Sequence, residues 1–155
     1  MNKIFMRKAI ALSIENVTKN IGGPFGAVVV KDGKIIATGA NCVTSHNDPT
    51  AHAEMVAIRN ACKKLGSFQL DDCEIYTSCE PCPMCLGAIY WARPKAVYYG
   101  NTKRDAAKID FDDQFIYDEL DLPLNKRNLK ITQLLRDEAI KAFELWNQNT
   151  NKVEY

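Results

Sequence analysis

From residue 25 to residue 99 the chain alternates β-rich runs with helical patterns, and the alternation opens on a hairpin signal. Phe25–Val30 and Lys34–Thr38 are apolar runs around Asp32-Gly33, a pair that tolerates the positive φ a tight primed turn demands. Pro49-Thr50 then opens a helix to about Leu65, with Gly66 as its stop, and Cys73–Ser78 reads as a third strand. Pro83–Ala92 reads as a buried helix ending near Arg93-Pro94, followed by a fourth strand at Ala96–Tyr99. Strands feeding helices in this way predict an α/β fold whose mixed sheet is covered on both faces.

The flanks add three elements. Residues 3–20 form an amphipathic pattern with Met6, Ile10, Ile14, Val17 and Ile21 on one stripe, stopped by Gly22-Gly23-Pro24. Asn41 to Asp48 is a polar loop, and 101–121 is helical only in part. Leu129–Leu135 is expected to be a fifth strand and Asp137–Asn147 a last helix. With no repeat, low-complexity tract or linker, 155 residues predict one domain, 1–155.

Composition narrows the partners. Twenty basic against 19 acidic residues leave a net charge of +1, whereas proteins that live on phosphate backbones carry a basic excess. The balance argues against a nucleic-acid partner. No secretory pattern opens the chain and no run of about 18 apolar residues occurs, so no membrane partner and a cytoplasmic location are expected. Six cysteines in that setting suggest metal ligands or buried thiols rather than disulfides.

The chemistry lies in two segments, His52-Ala53-Glu54 and Pro81-Cys82-Pro83-Met84-Cys85, each opening a predicted helix. Together they offer one imidazole and two thiolates, the donor set of a catalytic zinc site that keeps its fourth position for water. The positive end of a helix dipole favours thiolates there. Glu54, two residues beyond His52, can take a proton from a metal-activated water and pass it to the leaving group. Alone, neither segment says this: a C-x-x-C can be redox-active or structural. A structural site would need a fourth ligand, for which Cys42, Cys62, Cys73, Cys79 and His46 are available. The other reading is therefore a non-catalytic zinc-stabilised binding module.

These segments resemble the zinc nucleobase and nucleoside deaminases, whose signature is H-x-E followed by P-C-x-x-C. The resemblance implies a three-layer α/β/α sandwich around a five-stranded mixed sheet. It also implies one zinc ion on His52, Cys82 and Cys85, with Glu54 as the catalytic proton shuttle. Within the family, Thr77 to Ile89 suits guanine deaminases and tRNA adenosine deaminases alike. Gly22 to Ala27, Asn47 to Glu54, Ile89 to Pro94, Phe111 to Tyr117 and the ending Glu154-Tyr155 look more like the guanine deaminases.

That likeness implies a small-molecule purine base as substrate, deaminated to xanthine, with a tRNA or nucleoside substrate as the alternatives. It further implies a homodimer that exchanges a C-terminal segment of about 137–155, so that Tyr155 closes the partner's pocket. Asp113 is the candidate acceptor for guanine N–H groups or a guide for departing ammonia, and Asn41 offers hydrogen bonds along another base edge. Phe25 and Trp91 are candidate flat walls, and Ala53 a candidate contact between the metal ligand and the shuttle.

Overall fold

The structure is a computed structural model and describes residues 2–155. It comprises two compact units, Met1–Asp113 and Gln114–Tyr155.

In the first unit the hairpin forms as the sequence predicts. Strands β1 (Gly26–Lys31) and β2 (Lys34–Ala40) pair antiparallel with Lys31 opposite Lys34, and both turn residues take positive φ, 49° at Asp32 and 70° at Gly33. Strand β3 (Glu74–Cys79) pairs antiparallel with β1, and β4 (Ala96–Asn101) runs parallel to β3. The sheet order is β2-β1-β3-β4.

Alternation along the central strands splits the core into two layers. Ala27, Val29 and Ile75 point to one face and pack with Ala53, Ala57 and Ala61 of one helix and Ile89 of another. Val28, Val30 and Tyr76 point to the other face and meet Ala9. Helix α1 (Lys3–Thr18) therefore lies on one side, while α3 (Ala53–Leu65) and α4 (Pro83–Ala92) lie on the other. This is the three-layer arrangement, with a short α2 (Val43–His46) inside the expected polar loop and α5 (Lys103–Ala107) after β4.

Two expectations fail. The sheet has four strands rather than five, because 129–135 joins no ladder. Alternating apolar residues make a strand only when a neighbour accepts their backbone bonds, and here Leu129 and Leu134 stand 72% and 79% exposed. Most of the apolar stripe of α1 also faces away from the sheet: Ile10, Ile14 and Val17 are exposed, Met6 is partly buried against the sheet, and Ala9, Ser13 and Asn16 are buried. A Cβ on Gly26 would stand 2.4 Å from the Ala9 carbonyl and 2.7 Å from the Ser13 nitrogen. Helix and strand touch backbone to backbone, so only small residues fit the contact.

The second unit holds α6 (Gln114–Asp121), a 3-10 turn at Leu124–Lys126, and α7 (Arg136–Gln148). Arg127 closes the end of α6 by donating to the carbonyls of Leu122 (3.0 Å) and Leu120 (3.1 Å). None of its residues is buried. No helix among the described residues is long and apolar enough to cross a membrane.

Candidate active site

Two helix beginnings build the site. His52 is the N-cap of α3 and Cys82 the N-cap of α4, both in extended conformation, with Pro83 at the first position of α4 and Cys85 in its first turn. Proline suits that position because its fixed φ fits the helix and its missing N–H would have had no helical partner. The parallel β3 and β4 and the crossover between them deliver α4 back beside α3.

The ligand atoms converge. His52 Nδ1 lies 3.5 Å from Cys82 Sγ and 3.6 Å from Cys85 Sγ. All three donors fall within 4.8 Å of one another, and among the described residues no fourth His, Cys, Asp or Glu joins the group. One nitrogen and two sulfurs at that spacing fit zinc, and three donors rather than four fit a catalytic ion. The remaining cysteines form no disulfide.

The electrostatics suit a cation. A hydrogen bond from the Cys85 thiol, then one with His52, holds the Cys82 thiol down to about 4 against the effect of burial. Cys85 is pushed up by that same bond and by burial, so the pair shares one proton. Beside them Glu54 is 5% exposed. Thr77 donates to its Oε1 at 2.7 Å and the Cys85 thiol approaches its Oε2 at 3.5 Å. Burial raises the Glu54 carboxyl above the ordinary value, with the Thr77 bond opposing.

The other candidates are placed as follows. Ala53 is fully buried between His52 and Glu54. Asn41 is buried at the end of β2, and Phe25 stacks edge-on against Phe111 at 5.0 Å. Asp113 has its carboxyl raised by burial and then by the negative charge of Cys82, which puts it in electrostatic reach of the ligands. Trp91 sits six residues beyond Cys85 on α4, about 9 Å along the axis, and is 63% exposed. Tyr155 belongs to the second unit.

Sequence reasoning missed Thr77. The signal was there: Thr77 shares a strand face with Ile75, the face that α3 covers, so its hydroxyl had to be buried opposite the helix that carries Glu54.

Residues 1–101 match the family model of the cytidine and deoxycytidylate deaminase zinc-binding region. The chain belongs to this family of zinc-dependent deaminases. It is 58% identical over 154 residues to guanine deaminase of Bacillus subtilis (strain 168), with 99% of each chain covered. It superposes on the X-ray structure of guanine deaminase from Bacillus subtilis with a TM-score of 0.97, over 100% of this chain and 99% of that one. A tRNA-specific adenosine deaminase of Buchnera aphidicola subsp. Schizaphis graminum (strain Sg) is 36% identical over 127 residues, 81% of each chain.

Proposed function

We propose that the chain hydrolyses guanine to xanthine and ammonia, with His52, Cys82 and Cys85 holding one zinc ion. The observation that carries the substrate is the likeness to guanine deaminase from end to end, at 58% identity. The tRNA-specific relative is less similar, at 36%, and a net charge of +1 provides no excess of cations for a polynucleotide.

Zinc, when bound, activates a water molecule for attack on the ring carbon that bears the amine. The protein does the rest. Glu54 accepts one proton from that water and delivers it to the adjacent ring nitrogen, then carries the remaining hydroxyl proton to the departing amine, so a C–O bond replaces a C–N bond and ammonia leaves. Thr77 keeps the carboxylate turned toward the ligands while this happens. Asp113 accepts from guanine N–H groups, which suits guanine because adenine has no hydrogen on N1. Phe25 and Trp91 supply flat contacts to the purine, Ala53 lines the floor, and Asn41 binds another edge.

The C-terminal segment of about 137–155 is exchanged in a homodimer, where Tyr155 closes the partner's pocket, so that each subunit's 1–155 acts as one domain. Support comes from the second unit, which buries nothing and leaves Phe143 73% and Leu145 68% exposed. A 42-residue unit without a core needs another surface to cover it. Six free thiols suit the reducing cytoplasm.

The test is direct. Zinc-loaded protein is incubated with guanine, guanosine and tRNA in parallel, and ammonia, xanthine and inosine are measured. Ammonia and xanthine from guanine are expected. Inosine in tRNA with no turnover of guanine would overturn the reading.

A further inference from the structure

Asn16, in the last turn of α1, has no place in the site as drawn so far, yet it is 2% exposed and polar. Its Nδ2 donates two hydrogen bonds, to the Gly23 carbonyl at 2.8 Å and to the Asn41 carbonyl at 2.9 Å. Both partners are acceptors, so the orientation of the Asn16 amide is fixed by chemistry. The bonds join α1 to two loops that are otherwise separate in sequence, one entering β1 and one leaving β2.

Asn41 is gripped from several sides. Its own backbone N–H donates to the Phe25 carbonyl at 3.1 Å. Its side-chain Oδ1 accepts from the backbone of Gly23 at 3.3 Å and of Val43 at 3.4 Å. Two donors on the oxygen mean that the nitrogen end of the Asn41 amide points the other way, and that end has no hydrogen bond to protein among the described residues. Gly22 presses on the same place: a Cβ there would stand 2.3 Å from the Asn41 carbonyl oxygen and 3.1 Å from Oδ1.

From this geometry we infer that Asn16 is a positioning residue for purine binding: it holds the Asn41 main chain so that the Asn41 amide presents N–H donors to an acceptor edge of the base. The inference rests on the reading of Asn41 as a substrate contact and deepens it, because the hydrogen bonds commit Asn41 to donating. A purine edge that carries a carbonyl oxygen or an unprotonated ring nitrogen is the matching chemistry. Asn16 never touches the base. It acts by removing the freedom of the residue that does.

A double-mutant cycle on the zinc-loaded, full-length protein separates this role from plain stabilisation. Steady-state kinetics with guanine and calorimetric binding of xanthine are measured for the wild type, Asn41→Ala, Asn16→Ala and the double variant. Asn16→Ala is expected to raise KM and weaken xanthine binding by about tenfold, the scale of one well-placed hydrogen bond, with kcat changed less than about threefold. In the Asn41→Ala background the same change should have no further effect on either measure. Gly22→Ala keeps the Asn16 side chain but pushes on the Asn41 carbonyl that it holds and should reproduce the KM effect, which keeps the test open if Asn16→Ala does not fold.

Additive effects of Asn16→Ala and Asn41→Ala, or an unchanged KM in both Asn16→Ala and Gly22→Ala, overturn the positioning role. A wild-type KM in Asn41→Ala overturns the Asn41 reading itself, and the inference with it. Absence of guanine turnover in the wild type, with xanthine still bound, strikes the proposed reaction and leaves the binding cycle to decide Asn16.

Discussion

The Thr77 hydroxyl donates to Glu54 Oε1 at 2.7 Å, from a strand residue that is fully buried to a helix residue that is nearly so. One carboxylate oxygen is thereby occupied and the other is left toward Cys85. Replacing Thr77 with Val keeps the shape and removes the bond. We expect kcat to fall about tenfold with zinc content unchanged, and Thr77→Ser to recover most of the loss. Steady-state kinetics with metal analysis on the three proteins check this; equal kcat in the valine variant would remove Thr77 from the catalytic account.

Glu54→Gln preserves size and the Thr77 contact but cannot carry a proton. Turnover should drop by at least ~10² while zinc and fold remain. Activity equal to the wild type would leave the carboxylate incidental to turnover.

Zinc binding must displace the proton that the thiol pair retains. Cys82 is already a thiolate above about 4 and Cys85 is raised above the ordinary value of 9.0, so near neutral pH the Cys85 proton must leave, together with any proton on His52, whose imidazole is raised by its hydrogen bond with Cys82. Because a proton is released, affinity should rise with pH, by about tenfold per unit for each proton displaced. Calorimetry of zinc binding to metal-stripped protein, in buffers of different ionisation enthalpy, counts the protons. Affinity that weakens as pH rises from 6 to 8 would contradict the assignment.

Gly39 faces α3 so closely that a Cβ would stand 2.2 Å from the Ala53 carbonyl and 2.5 Å from the Ala57 nitrogen. Gly39→Ala should cost about 1–3 kcal/mol by overpacking. Since Ala53 follows His52, zinc retention should fall as well. Urea denaturation and metal content measure the two effects.

Deleting 151–155 tests the proposed closing role of Tyr155. Guanine turnover should fall, or guanosine should become a substrate. Unchanged kinetics on both would leave the tail without a function at the pocket.

The parts of the molecule that were readable from sequence are those governed by local chemistry. Asp32-Gly33 could only turn, Gly66 ends α3 at φ 63°, and Pro83 opens α4. What escaped depends on contacts distant in sequence. The isoleucines of α1 obey a helical period, yet the approach of Gly26 decides which face turns inward. Leu129–Leu135 has the alternation of a strand, but alternation does not say whether a neighbour will pair. Thr77 and Asn16 are ordinary residues by type, and only their partners 23 and 25 positions away give them a task.

A cysteine heads α4 where serine or aspartate is the better helix starter, and its side chain makes no capping bond. The two requirements pull apart: Cys82→Ser would suit the helix at least as well while removing a soft ligand from zinc. Any screen of variants that rewards thermal resistance in metal-poor medium would therefore drift toward robust proteins that have lost their chemistry, and selection at this position must score metal content alongside folding.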